Sequence, residues 1–444
     1  MAEVLALGLS HKTAPLELRE RLALTEGRAT SVMNELTAAP EIREATVVST
    51  CNRTELYLVA EDTVEAETTA LSVLSREAEI RPTELTSHLY SLRASDAARH
   101  LFQVTAGLDS MIIGEAEIQG QVKRAYELSL VEGATGPILN RLFRGAISAG
   151  GRARNETGIS EKGVSVPSVA VELARRTLGD LSTSHALVIG AGETADLVAR
   201  ALVARGSQTV FVANRHYDRA IGLAQRFGGA AVRIDDLPNQ LEKADIVISA
   251  TNSPHHLVGK AELAQVLERR KTRPIHLVDL AVPRDIDPGC RDLEGVTLSD
   301  VDDIQSIVKR NTSGRESEAR KAEHLIESEL KRFERWLASL EVVPTVVALR
   351  EHSDEIVRRV LSENENRWEG LTEADRQRVE TMARAIASRM LHEPTLQLKK
   401  AAGSDEAYEI VNALRELFGL DIETATEGES QASVTQLRRR DRPS

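Results

Sequence analysis

The chain has 444 residues, is 41% hydrophobic, 28% charged and only 3% aromatic, and carries a formal net charge of −12. That length exceeds what one hydrophobic core fills, so two to four domains are expected, and the acidic balance argues against broad nonspecific binding to nucleic acid. Its two cysteines cannot build a disulfide framework, no Cys and His spacing reads as a zinc site, and no stretch approaches the ~20 apolar residues of a membrane span. The opening run MAEVLALGLSHKTAP is too short in its apolar part, and too uncharged before it, to be a signal peptide. A soluble, cytoplasmic protein is expected.

Residues 1–155 mix short strands and helices. VLALGLS (4–10), ATVVST (45–50) and TELYLVA (54–60) read as strands, from their Thr- and Val-rich or alternating apolar patterns. The last two are joined through Cys51-Asn52-Arg53, so the thiol sits at a strand end or turn. A structural cysteine prefers apolar company. Polar and cationic neighbours are expected here to lower the thiol pKa and make a nucleophile. Helical periods follow in SDAARHLFQVTAGL, which carries His100, and in EAEIQGQVKRAYELSLVEG. Beyond them, Arg141, Arg144, Arg152 and Arg154 face only Glu156 in sequence. This track suits phosphate contacts, or equally a solvated face.

Residues 165–310 alternate strand and helix. HALVIG, TVFVAN, AAVRID, DIVISAT and IHLVDLA are short apolar strands separated by segments such as TADLVARALVARG, the pattern of a doubly wound parallel sheet. Gly190, Gly192 and Ala195 form a G-x-G-x-x-A run between the first strand and its helix. Gly190 allows the tight turn, Gly192 lets backbone approach a pyrophosphate, and Ala195 allows close packing of helix on strand. The helix start that follows supplies amide donors for phosphate. The second strand ends at Asn214-Arg215 rather than at an acidic residue. A cation there suits a ribose 2′-phosphate, so NADPH is expected over NADH. Cys290 follows a Pro-Gly turn and reads as structural.

The remainder is nearly all helical. From Ser317 to Leu340, Ile326, Leu330, Phe333, Leu337 and Leu340 recur at helical steps, giving a helix of about 36 Å whose end Pro344 is expected to mark. Val346, Leu349, Ile356 and Val360 make one heptad-like seam, and Val379, Met382, Ile386 and Met390 a second. Such seams pair helices, within one chain or between two. Residues 425–444 have little apolar content and are expected to form a disordered tail.

Four runs, GLSHKTAP, STCNRTELY, GLDSMIIGEAEIQGQVKRAY and GAGETA, occur in one order along the chain and resemble the glutamyl-tRNA reductases. The resemblance implies an α/β multidomain fold: an N-terminal α+β catalytic domain that binds glutamyl-tRNA (1–155), a Rossmann-type NADPH domain (165–310), a spinal helix (311–344), a helical dimerisation domain (345–424) and the tail. It implies reduction of glutamyl-tRNA to glutamate-1-semialdehyde through a Cys51 thioester, the first step of the five-carbon route to 5-aminolevulinate and tetrapyrroles. Thr50, Asn52, Arg53, Ser110, Glu115, Ala116, Glu117 and Gln121 match the family's substrate-binding positions, Arg53 being suited to the glutamate side-chain carboxylate. Ala116 stands where proline is common, a change that removes no functional group. His100 matches a histidine important for activity, either for positioning or for proton transfer. Gly190, Ala191, Gly192, Glu193, Thr194, Ala195 and Arg215 would hold the cofactor. A second copy of the chain and the glutamate-1-semialdehyde aminomutase are the implied protein partners. The rival readings are a shikimate-dehydrogenase-like NADP oxidoreductase, which leaves Cys51 and the helical C-terminal region unexplained, and a non-catalytic tRNA-binding relative, against which the intact thiol and glycines speak.

Overall fold

The computed structural model describes residues 2–160, 166–213, 216–271, 273–309, 316–368, 370–402 and 406–420. Two compact units divide the chain, Met1–Leu330 and Lys331–Ser444.

The first unit begins with β1 (Glu3–Ser10), α1 (Leu16–Arg21), α2 (Glu26–Ala38), β2 (Ile42–Ser49), β3 (Arg53–Ala60), α3 (Thr63–Ala78), α4 (Pro82–Leu85), β4 (Tyr90–Arg93), α5 (Ala94–Thr105), α6 (Glu117–Val131) and α7 (Pro137–Glu156). Its four strands form an antiparallel sheet in the order β2-β3-β1-β4. Every residue of β3 is buried, because helices cover both faces of this central strand. Leu5, Leu7 and Leu9 of β1 and Leu56 and Leu58 of β3 pack on Val32, Met33 and Leu36 of α2 and on Val73 and Leu74 of α3. Local chemistry sets the helix starts. Asp62 accepts from the Val64 and Glu65 amides at the head of α3, a side-chain N-cap. Pro137 opens α7, where Glu44 from β2 accepts the Ile138 and Leu139 amides at 3.1 and 2.7 Å.

The second half of this unit holds α8 (Val166–Leu178), β5 (His185–Ile189), α9 (Glu193–Val203), β6 (Gln208–Ala213), α10 (Tyr217–Phe227), β7 (Ala230–Arg233), α11 (Leu237–Lys243), β8 (Ile246–Ser249), α12 (Lys260–Arg270), β9 (Ile275–Asp279), β10 (Val296–Ser299) and α13 (Val301–Lys309). The sheet is parallel, in the order β10-β9-β8-β5-β6-β7. This is the doubly wound order with its switch point beside β5, where such sheets bind ligands. Alternate residues of β5 feed opposite cores: Ala186 and Val188 one face, Leu187 and Ile189 the other. Cys290 is fully buried in the second of these cores. The edge strand β10, four residues long, is absent from the sequence reading.

Helix α14 (Glu316–Glu341) is followed by α15 (Val343–Glu363), α16 (Glu373–Ala401) and α17 (Glu406–Phe418). Pro344 follows closely on the end of α14 at Glu341 and marks the break between the two helices. It lies in the first turn of α15, where a missing amide costs nothing. In the second unit Val342, Val346 and Leu398 form a small core with Ile410, Val411 and Leu414 packed against it. The first seam therefore divides. Val346 and Leu349 are buried, whereas Ile356 and Val360 are exposed. Residues 425–444 lie outside the described residues. Among the described residues no helix is long and apolar enough to cross a membrane.

Candidate active site

The β2–β3 hairpin carries Cys51 at its tip. Ser49 pairs with Thr54, the Thr50 amide donates to the Arg53 carbonyl at 2.8 Å, and the Asn52 amide donates to Thr50 Oγ1 at 3.2 Å. Two outside donors pin the turn. The His11 amide reaches the Asn52 carbonyl at 2.8 Å, and Arg19 Nη1 reaches the Cys51 carbonyl at 3.0 Å. A tip held from both sides presents the thiol in one place.

The electrostatics differ from the sequence reading. Burial, followed by the charges of Glu115 and Glu117, pushes the Cys51 thiol up to about 12, against a smaller lowering by Arg19. The expected cation beside it is engaged elsewhere. Arg53, fully buried, donates from Nη1 to Glu55 Oε1 at 2.6 Å and to Asp109 Oδ2 at 3.1 Å, and from Nη2 to the Asp109 carbonyl at 2.6 Å. Its buried Nε–H has no hydrogen-bond partner among the described residues. In the free protein the thiol is thus a weak acid facing carboxylates.

Glu55 is the residue that sequence reasoning missed. Its fully buried carboxylate also accepts from Tyr57 Oη at 2.6 Å and Tyr90 Oη at 2.5 Å, and His100 Nε2 lies 2.9 Å from Oε1. Although burial alone would raise its pKa, Arg53 and His100 hold it well below the usual carboxylate range. His100 itself is not on the cavity wall. It reaches the site through Glu55 and Arg53.

That wall encloses about 840 Å³, within the range of small-molecule sites. It brings together Thr50, Cys51, Asn52, Arg53, Ser110, Glu115, Glu117 and Gln121 with Gly190, Ala191, Gly192, Glu193 and Thr194. Ala116 and Ala195 lie off it, and Ala195 is packed in the sheet core. Glu117 is pushed up to about 7 by burial and by Glu115 and Glu193, with Arg124 opposing, and its Oε1 has no hydrogen-bond partner among the described residues. Glu115 is raised by burial, less the effects of Ser110 and Arg53.

The glycine loop fits a dinucleotide. Gly190 has φ +118°, and a Cβ there would lie 2.4 Å from the Ala250 carbonyl oxygen, so only glycine is unstrained. Gly192 is the residue before α9, and a Cβ on it would meet nothing within 4 Å. That leaves open space over a helix N-terminus, where phosphate binds. Asp285 fixes the neighbouring strand end, accepting from Ser249 Oγ at 2.6 Å and from the amide and Oγ1 of Thr251 at 3.0 and 2.6 Å. Arg215 and Asn214 lie outside the described residues, but His216 and Arg219 just beyond them line the same cavity.

The arginine track is not one basic face. Arg152 pairs with Glu329 as well as Glu156, Arg154 is half-buried, and Arg144 Nε bonds Tyr126 Oη at 3.0 Å. Arg141 and Arg144 are its exposed members.

The fold and cavity define a multidomain oxidoreductase in which a thiol-bearing α+β half adjoins a dinucleotide-type Rossmann half. The sequence patterns of three families match in order: the glutamyl-tRNAGlu reductase N-terminal domain over residues 7–157, shikimate/quinate 5-dehydrogenase over 172–307, and the glutamyl-tRNAGlu reductase dimerisation domain over 321–420. The chain is 42% identical over 419 residues to the glutamyl-tRNA reductase of Pelotomaculum thermopropionicum, covering 94% of each. It is 41% identical to that of Geotalea uraniireducens, covering 94% of this chain and 96% of the relative. The solved structure of glutamyl-tRNA reductase from Methanopyrus kandleri matches at 33% identity and a TM-score of 0.50, covering 94% of this chain and 99% of that one. The chain belongs to the glutamyl-tRNA reductase family.

Proposed function

We propose that this protein reduces glutamyl-tRNA to glutamate-1-semialdehyde with NADPH, supplying the five-carbon route to 5-aminolevulinate and tetrapyrroles. The observation that carries the reading is the single cavity shared by the Cys51 turn and the Gly190–Thr194 loop. A nucleophile and a hydride donor must meet at one carbon, and one cavity can hold both.

Glu115 and Glu117 suit the α-ammonium of the glutamyl group. That cation offsets the Glu115 and Glu117 charges, which add to the larger effect of burial in raising the Cys51 pKa, and so moves the thiol toward its thiolate. The Cys51 sulfur then attacks the ester carbonyl, the C–O bond to the terminal ribose breaks, and the ribose oxygen leaves with a proton. A glutamyl thioester remains on Cys51. The unpartnered Nε–H of Arg53 is a donor for the side-chain carboxylate, and His100 keeps Arg53 in place through Glu55. The Gly190–Thr194 loop and the α9 N-terminus would hold the pyrophosphate, and Arg219, with Arg215 as the sequence suggests, would supply the cation for a 2′-phosphate. The dinucleotide, when bound, supplies the hydride that converts the thioester to the aldehyde and returns the thiol.

Two copies of the chain, joined through the C-terminal helices, are the expected assembly. The aminomutase that consumes the aldehyde is the remaining candidate partner. The test is incubation with glutamyl-tRNA and NADPH, with the aldehyde trapped and Cys51 examined by mass spectrometry. A glutamyl adduct on Cys51 without NADPH and aldehyde with it are expected, and Cys51→Ser should give neither. Normal turnover by Cys51→Ser would overturn the mechanism.

A further inference from the structure

Helix α1 is six residues long, yet two consecutive side chains on it grip the nucleotide-binding half at two places. Arg19 has its guanidinium buried. Its Nη1 donates to the Cys51 carbonyl at 3.0 Å and lies 3.5 Å from Asn52 Oδ1, while its Nη2 pairs with Asp302 on α13. The next residue, Glu20, accepts three bonds from Arg284: from the amide at 2.7 Å and Nε at 2.8 Å to Oε1, and from Nη2 at 2.7 Å to Oε2. Glu17 adds a longer contact to Arg284 at 3.6 Å. Both grips are made beside the cavity. Asp302 follows Val301 and Arg284 follows Pro283, and both of those neighbours line it.

The bidentate Glu20–Arg284 geometry fixes direction as well as distance, and neither side chain is more than 16% exposed. A third pair across the halves, Arg124–Glu193, is about half exposed on each side, so solvent and salt screen it. One guanidinium therefore spans from the peptide of the thiol to the nucleotide-binding half, and the adjacent carboxylate stops that half from turning about it.

We propose that Arg19 and Glu20 are positioning residues that fix the thioester on Cys51 relative to the dinucleotide loop, so that α1 couples acylation to reduction. This role rests on the thioester chemistry proposed above. Acylation needs only the thiol and the glutamyl ester. Hydride transfer needs the two halves in register, where a 1 Å error can cost about a hundredfold.

The test uses the full-length protein with Asp302→Asn and Arg284→Ala, neither of which touches the thiol turn. Single-turnover acylation of Cys51, measured by mass spectrometry without NADPH, should stay within about twofold of wild type. Aldehyde formation with NADPH should fall about ten- to a hundredfold, with free glutamate rising as water takes the waiting thioester. The NADPH KM should change far less than kcat. The swap Glu20→Arg with Arg284→Glu should recover most of the reduction that Arg284→Glu alone loses. Unchanged partition between aldehyde and glutamate in both Asp302→Asn and Arg284→Ala, or parallel loss of acylation and reduction, would overturn the coupling. A wild-type protein that forms no adduct on Cys51 removes the thioester function itself, and this role with it, before any variant is made.

Discussion

Cys51 is raised to about 12 and Glu117 to about 7, and the two values make a joint prediction. Only the thiolate alkylates, so iodoacetamide should modify Cys51 slowly at neutral pH and steadily faster from pH 7 to 9, by less than about tenfold per unit while Glu117 is still gaining its charge, with no plateau. Glu117 gains its charge as pH rises through about 7, and that charge raises the thiol pKa further. Glu117→Gln removes it. Alkylation of this variant should therefore exceed wild type at pH 8 and converge with it below about pH 6, where Glu117 is protonated in any case. A plateau near pH 7 in the wild type would mean that the thiol is activated without substrate. The position of Cys51 was legible, because Val-Val-Ser and Thr-Glu-Leu-Tyr are strand-formers on either side of a polar tripeptide. Its electrostatics were not. They depend on Glu115 and Glu117, more than sixty positions away, and on Arg53 being taken by Asp109, fifty-six positions away.

At the scale of elements, the β5–α9 turn separates two glycines that one motif treats alike. Gly190→Ala must strain the backbone at φ +118° and drive its Cβ against the Ala250 carbonyl. It should destabilise the parallel sheet by about 1–3 kcal/mol, seen as a lower melting temperature with or without cofactor. Gly192 has room for a side chain, so Gly192→Asp should melt like wild type while its charge repels the pyrophosphate. It should bind no NADPH by fluorescence titration, make no aldehyde, and still release glutamate slowly from glutamyl-tRNA. Acylation lost along with NADPH binding would show that cofactor must bind first. The motif was readable because its strand-turn-helix setting is local. Glu55 escaped for the opposite reason. In TELYLVA it alternates as an outward residue of a half-exposed strand should, but β3 is covered on both faces, so the carboxylate turns inward onto Tyr57, Tyr90, Arg53 and His100.

Over the whole molecule, the helical seams were legible as periodicity but not in their use, since a heptad pattern does not say which partner fills it. The structure divides that use. Val346 and Leu349 serve the core of the second unit, whereas Met382, Ile386 and Met390 on α16 remain 64%, 59% and 73% exposed. Four-residue spacing keeps these three on one helix face, and the pattern matched over 321–420 is that of a dimerisation domain. An apolar stripe of this kind marks an interaction site, and a second copy of the same stripe completes it about a two-fold axis. Ile386→Arg tests this without touching the chain's own core, because the side chain is mostly exposed within the single chain. Sedimentation at micromolar concentration should give a dimer for the wild type and a monomer for Ile386→Arg, with the far-ultraviolet helix signal unchanged. The cavity that holds Cys51 and the glycine loop is built wholly within Met1–Leu330, so acylation of Cys51 by glutamyl-tRNA should survive in the monomer. A variant that stays dimeric would place the interface elsewhere on the helices, and a monomer unable to acylate would mean that the partner contributes to the site.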